Sequence, residues 1–432
     1  MQNWQKIYHD RLRTPEEAVK AIKSGDRVVI AHACGEAQVL SKAMVARANE
    51  LQNVEIVHMV AMGKAEYCLP EMAGHFRHNS LFVGATTRQA VNEGRADYTP
   101  CFFSEIPRLF KKGYLPVDVA IVQVSPPDRF GFCSLGISVD YTKPAAECAG
   151  VVIAQVNKNM PRTMGDSFMH VSQFDSIVEY DEPLIELPKA KITEVEARIG
   201  EYVVQLVEDE ATLQLGIGAI PDAVMLFLKG KKDLGIHTEM FSDGVVELYE
   251  DGVITCQAKT IHRGKMVATF LMGTKKLYDF VNDNPIVEMF PVDYVNDPYI
   301  ISQNKKMTAI NSALQVDLLG QVCADTLGTK QYSGVGGQVD FVRGAARSDG
   351  GKSIIALPST AGKGKFSRIV AELDKGAAVT TSRNEVHYVV TEYGIADLRG
   401  KTLRQRAKEL ISIAHPDFRE KLLFEAKSRN LV

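Results

Sequence analysis

The sequence predicts an α/β protein made of two tandem open domains, residues 1–190 and 191–432, each built on a mainly parallel sheet. Three observations lead there. Apolar runs rich in β-branched residues, Arg27–His32, Val54–Val60, Val117–Val124 and Val151–Val156, alternate with helical or loop-like stretches, which is how strands covered on both faces read. The alternation stops between Tyr180 and Gly200, where Asp181-Glu-Pro-Leu-Ile-Glu-Leu-Pro-Lys-Ala-Lys191 mixes prolines with charges and shows no period; it restarts afterwards, so a domain boundary falls there. A chain of 432 residues, 45% hydrophobic, also exceeds what one core usually holds.

Taken in order, Thr14 is an N-cap, Pro15 opens a helix, acids follow in the first turn, and Gly25 ends it. Arg27–His32 is the first strand, Val39–Leu51 a helix and Val54–Val60 the next strand, a β-α-β unit. Leu81–Gly84, Val117–Val124 and Val151–Val156 continue the sheet. Past the boundary come a helix over Glu194–Glu208, a strand over Thr212–Leu215 and a helix over Asp222–Lys229. Met266–Leu271, Ile354–Leu357 and His387–Thr391 read as strands, Phe366–Leu373 as an amphipathic helix, and Leu403–Ile413 and Phe418–Arg429 as helices. No short-period repeat is visible.

Composition narrows the function. A formal net charge of −3 and a pI near 6.4, without a polybasic run, give no electrostatic support for nucleic-acid or membrane-surface binding. No apolar run approaches the roughly 20 residues needed to span a bilayer. The start, Met-Gln-Asn-Trp-Gln-Lys-Ile-Tyr, lacks the apolar core of a signal peptide, so a cytoplasmic protein is expected. Seven scattered cysteines with no C-x-x-C pair point to reduced thiols. His32-Ala-Cys34 and His75-x-x-His78 are isolated pairs, and no metal site is expected.

The expected chemistry centres on Glu239, a carboxylate after a short apolar run and before the turn-forming Ser242-Asp243-Gly244. Two glycine-rich loops flank it in sequence. Leu215-Gly216-Ile217-Gly218-Ala-Ile-Pro221 has proline where the third glycine of a dinucleotide fingerprint belongs. Ser333-Gly334-Val-Gly336-Gly337-Gln338 is either a flexible hairpin or a cradle of backbone N–H groups for an anion or carbonyl. Gly351-Lys-Ser353 and Gly400-Lys-Thr402 lack the first glycine of a P-loop, and no G-x-S-x-G elbow occurs. Ser125-Pro-Pro-Asp128 is a rigid turn that serves either structure or substrate.

These segments, with Glu239-Met-Phe-Ser-Asp-Gly244, Asn311-Ser-Ala-Leu-Gln-Val-Asp317, Thr380-Thr-Ser-Arg-Asn384 and Val390-Thr-Glu-Tyr-Gly394, resemble the acetyl-CoA hydrolase/transferase branch of the class I CoA-transferases. In the first half His58-Met-Val-Ala-Met-Gly63, Val124–Asp128, Asn159-Met-Pro-Arg-Thr163 and Gly165-Asp-Ser167 carry the same likeness, which spans essentially the whole chain. The resemblance implies two CoA-transferase-type α/β domains, with Glu239 as the nucleophile that becomes a glutamyl-CoA thioester. It implies Gly336 and Gly337 as oxyanion donors, and Gln214, Leu215, Gly216, Ile217, Gly218, Asn311, Gly334 and Lys363 as contacts of CoA. Glu392 matches a family position near the active site, and Gln338 stands where several relatives carry a small residue. No permanently bound cofactor is implied; coenzyme A and acyl-CoA are substrates. The other partners implied are short-chain carboxylates, 4-hydroxybutyrate or butyrate foremost, with acetyl-CoA or butyryl-CoA as donor, and a second copy of the chain in a homodimer or larger homo-oligomer. Hydrolysis of acyl-CoA is the alternative on the same scaffold.

Overall fold

In the computed structural model, which describes residues 4–432, the chain forms two compact units. One holds Met1–Leu187 and Val267–Val295, the other Pro188–Met266 and Asn296–Val432. A single cut at 190/191 does not capture the excursion of 267–295 into the first unit.

The first unit carries a seven-stranded sheet in the spatial order 176–179, 151–156, 119–124, 27–30, 54–58, 76–80, 97–98, parallel throughout. Its core packs Val28, Ile30, Ile56, Val119, Ile121 and Ile153 from the strands against Leu40 and Met44 of the helix Gln38–Ala46; each such side chain contributes about 1.5–3 kcal/mol on burial. The Thr14 cap is a full capping box with Glu17, but the α-helix it starts covers only Pro15–Ala18 before tightening into a 3₁₀ turn. The third strand is Phe76–Ser80, not Leu81–Gly84. Asp128 serves the turn: it accepts from the N–H groups of Phe130 and Phe132 at 2.8 and 3.0 Å and pairs with Arg162 at 3.3 Å.

Glu36, just past the first strand, is a buried carboxylate held by the Gly63 N–H at 2.9 Å, where a Cβ on Gly63 would lie 2.8 Å from both carboxylate oxygens. Burial pushes its carboxyl up to about 7, opposed by the Gly63 hydrogen bond. A folded-state pKa above the unfolded value favours folding fully at acid pH and loses that contribution as pH rises to about 7, a cost on the order of 3 kcal/mol above it. Glu36→Gln is therefore expected to melt several degrees above wild type at pH 8 and together with it at pH 4. Equal melting temperatures at pH 8 would contradict a carboxylate charged at a cost.

The second unit carries six strands in the order 235–236, 212–215, 307–312, 352–356, 388–391, 394–397; the first five are parallel and the last folds back antiparallel. By chain order this is 2-1-3-4-5-6. The order reverses between Thr212–Leu215 and Met307–Ser312, and in open parallel sheets a crevice opens at the carboxyl ends of such a pair. Phe366–Leu373 is not a helix: it forms two short strands, Phe366–Ser367 and Ile369–Val370, the second paired in parallel with Val316–Asp317. No described helix is long and apolar enough to cross a membrane.

Candidate active site

Two residues close the reversal point. Gln214 and Asn311, each the next-to-last residue of its strand, face each other as paired amides: Asn311 Nδ2 donates to Gln214 Oε1 at 3.0 Å, and Gln214 Nε2 lies 3.4 Å from Asn311 Oδ1 and from the Ile310 carbonyl. Beyond Leu215 the chain turns through Gly216, half-exposed Ile217 and Gly218, which has φ +105° and caps the helix Ala219–Phe227. That helix begins three residues before the expected Asp222.

Glu239 is brought to the same strand end from the neighbouring strand Gly235–Ile236. The His237 N–H donates to the Leu213 carbonyl at 3.1 Å, and the buried Thr238 hydroxyl accepts from the Leu215 N–H at 3.3 Å while lying 2.9 Å from the Met240 carbonyl. Thr238 thus pins both flanks of Glu239 to the end of the first strand. Ser242-Asp243-Gly244 is not a turn; Ser242 caps and Asp243 opens the helix Asp243–Glu250.

The second glycine loop is not a hairpin; it leads directly into a helix. Gly336, with φ +54°, turns the chain, and Gly337 is the N-cap of the helix Gln338–Arg347. A Cβ on Gly337 would lie 1.9 Å from Glu239 Oε2 and 2.3 Å from Asn296 Nδ2, so the bare backbone at the head of this helix rests against the carboxylate. Partial positive charge at a helix start stabilises a nearby anion by about 0.3–1 kcal/mol, more where water is excluded. Gln338 supports the loop: its Nε2 donates to the Ser312 carbonyl at 2.8 Å, and its Oε1 accepts from the Thr381 hydroxyl at 2.8 Å. A larger residue after the double glycine therefore fastens the loop to the end of the strand Met307–Ser312. Gly334 lies buried in the segment leading in, where Asp325 holds the N–H groups of Tyr332 and Ser333.

Asn296 is the residue that sequence reasoning missed. Wholly buried, it donates from Nδ2 to Glu239 Oε2 at 2.9 Å, while its Oδ1 has no hydrogen-bond partner among the described residues. Its neighbours Asp297 and Pro298 announce a helix start, which forms over Pro298–Ser302, but nothing local announces a partner 57 residues away.

Two other residues fall elsewhere in the second unit. Lys363 sits with φ +58° at the exposed tip of the hairpin joining Thr360–Ala361 to Phe366–Ser367. The buried carboxylate of Glu392 is taken up by Ser359, accepting from its N–H at 2.8 Å and its hydroxyl at 2.6 Å, which anchors the chain that leads into this hairpin.

Two family descriptions match the chain, the acetyl-CoA hydrolase/transferase N-terminal domain over residues 1–187 and the C-terminal domain over residues 273–426. The chain is 65% identical over 426 residues to the 4-hydroxybutyrate coenzyme A transferase of Clostridium kluyveri, covering 99% of each. It is 47% identical over 430 residues to the succinyl-CoA:cyclohexane-1-carboxylate CoA transferase of Geobacter metallireducens, covering 100% of this chain and 98% of the other. Among solved structures, a 4-hydroxybutyrate CoA-transferase from Porphyromonas gingivalis superposes with a TM-score of 0.87 at 47% identity, covering 99% of this chain and 100% of that one.

Proposed function

As the chain belongs to the acetyl-CoA hydrolase/transferase family and is an enzyme of the CoA-transferase type, we propose that it moves CoA between acetyl-CoA or butyryl-CoA and 4-hydroxybutyrate, with Glu239 as the covalent carrier. The observation that carries this reading is the Glu239 carboxylate seated against Gly337 at the head of a helix, beside an amide donor.

A carboxylate in water is a poor nucleophile toward a thioester, so the site must hold it aligned and partly dehydrated. Asn296 fixes one oxygen and thereby the direction of the other. In the first step a Glu239 oxygen adds to the thioester carbon and the C–S bond breaks, giving a mixed anhydride and CoA thiolate. The thiolate attacks the glutamyl carbonyl; the first acid leaves as its carboxylate, and CoA stays as a thioester on Glu239. The acceptor carboxylate then attacks that thioester, and the thiolate, released again, takes the new acyl group and restores the glutamate. No net proton is gained or lost.

Each addition places negative charge on a former carbonyl oxygen. The backbone N–H groups of the Gly336–Gly337 turn and the Asn296 amide are the donors proposed for it; one such donor is worth about 3–4 kcal/mol in a transition state. The paired amides Gln214 and Asn311, with Gly216–Gly218, would line the path of the pantetheine arm.

The acceptor is tested by comparing kcat/KM for 4-hydroxybutyrate, butyrate, propionate and succinate against one donor, with free CoA measured in each assay and without any acceptor. The four-carbon monoacids should lead, separated from propionate by roughly 10–200-fold at most, because an apolar pocket reads a methylene weakly. Succinate as the best acceptor would overturn the C4-monoacid assignment. CoA release that needs no acceptor would assign a hydrolase.

A further inference from the structure

We infer that Thr238 is a positioning residue for the transfer: its hydroxyl is a hydrogen-bond junction through which a CoA ligand lying on the loop Gly216–Gly218 sets the reach of Glu239. The inference rests on the acyl-CoA reading above and names the side chain through which one part of that site acts on another.

Backbone pairing between the strands Thr212–Leu215 and Gly235–Ile236 ends at Leu213 and Ile236. The His237 N–H still reaches the Leu213 carbonyl at 3.1 Å. One residue further on, a side chain takes over. Thr238, 1% exposed, accepts at Oγ1 from the Leu215 N–H at 3.3 Å, and the same oxygen lies 3.2 Å from the Leu215 carbonyl and 2.9 Å from the Met240 carbonyl. A hydroxyl has one proton to give, so the two carbonyls compete for it. One belongs to the residue before the glycine loop, the other to the residue after Glu239.

That competition ties the two segments together. Leu215 is the last residue of its strand, and Gly216 follows directly. The loop has room beside it: away from the chain neighbours, a Cβ on Gly216 would come no closer than 3.9 Å, to Pro221 Cγ, a Cβ on Gly218 would meet nothing within 4 Å, and Ile217 is 44% exposed. A ligand whose amides bond to this backbone shifts the Leu215 peptide, and the balance of the Thr238 proton between Leu215 and Met240 shifts with it. Glu239 is half-buried between two buried neighbours, Thr238 and Met240, so a change at both flanks moves its carboxylate. A displacement on the order of 1 Å is worth about a hundredfold in rate. Binding of a remote arm is thereby turned into alignment of the nucleophile. Valine has the outline of threonine without the proton or the lone pairs, so it keeps the packing and cuts the junction.

The test compares two donors, acetyl-CoA and S-acetyl-N-acetylcysteamine, which carries the same thioester on a short stub of the arm. In Thr238→Val, kcat/KM is expected to fall about 100-fold for acetyl-CoA and less than about threefold for the short donor. The acetyl-CoA loss should lie in kcat, with KM little changed. Thr238→Ser, which restores the hydroxyl, should return acetyl-CoA to within about fivefold of wild type. Thr238→Cys, a weaker donor, gives the same comparison where the valine variant does not melt as a folded protein. Equal losses for the two donors, or a serine variant as slow as valine, overturn the junction, because Thr238 then only supports the chain around it. Borohydride trapping of CoA on Glu239 separates the two levels of the argument: wild type labelled there with equal donor losses in the variant refutes the junction alone, and wild type that carries no CoA on Glu239 refutes the covalent reading beneath it.

Discussion

Glu239→Ala is expected to lower acyl transfer by roughly 10⁴-fold or more, the scale on which removing a covalent nucleophile acts. The structure adds a consequence for the fold. Truncation leaves the Asn296 amide buried with neither polar atom paired, since Oδ1 already lacks a partner among the described residues and Nδ2 loses Glu239; an orphaned buried donor costs about 1–3 kcal/mol. Glu239→Gln is the cleaner variant, because its side-chain oxygen still accepts from Asn296 while the amide cannot carry CoA. Glu239→Asp keeps the charge but withdraws it by one methylene, and a displacement on the order of 1 Å can cost a hundredfold. Incubation of wild type with acyl-CoA alone, borohydride reduction and peptide mapping should find the modification on Glu239. Glutamine-variant transfer within tenfold of wild type, or a label on another residue, would move the active site.

How much of this was legible differs from element to element. The Thr14 cap, the strands Arg27–Ile30, Val54–His58, Val119–Val124, Val151–Val156 and Thr212–Leu215 and the helix Leu403–Ile413 follow from local rules, because cap chemistry and hydrophobic period are local signals, whereas the central strand Met307–Ser312 was not read. Phe76–Ser80 was not legible: Phe-Arg-His-Asn-Ser is mostly polar, and it is a strand because His78 Nδ1 finds the Ile56 carbonyl at 3.0 Å and Asn79 finds Glu55 at 2.8 Å, contacts supplied by the neighbouring strand. Phe366–Leu373 fails in the opposite way. Its spacing suits a helix, but strand pairing of Ile369 and Val370 with Val316 and Asp317 outweighs local preference. The helix Gln338–Arg347 was hidden because two glycines precede it and Val339-Asp-Phe341 alternates; its buried Val339, Val342 and Ala345 show the helical spacing only further along.

The site divides along the same line. Glu239 and the glycine loops are recognisable as residue types in a motif. That Gln214 and Asn311 pair across two strands, or that Asn296 holds the carboxylate, depends on strand order, which no local pattern encodes. The role of Gly337 changes most. Sequence offers it as a donor whose lack of a side chain clears the way for a ligand; the geometry shows that the space is already occupied by Glu239.

Gly337→Ala should therefore suffice to disable the enzyme, where an oxyanion role alone would call for a bulkier replacement. The backbone at Gly337, φ −94° and ψ 6°, is the conformation of the second corner of a type I turn, which alanine can adopt with no left-handed penalty. The added Cβ meets Glu239 Oε2 at 1.9 Å, Asn296 Nδ2 at 2.3 Å and Glu239 Cδ at 3.1 Å, so relief comes by moving the carboxylate, its amide partner or the head of the helix. All three displace the oxygen proposed to react. A fall in kcat of about 100-fold or more is expected, with KM for acyl-CoA changed little, because the contacts proposed for the pantetheine arm lie elsewhere. Gly336→Ala is the contrasting variant: with φ +54° it loses roughly 1 kcal/mol or more to backbone strain, read as a lower melting temperature. The pair separates occupied space from chain conformation. Gly337→Ala with kcat within threefold of wild type, or with a defect confined to KM, would show that Glu239 does not react from the position it holds against this helix.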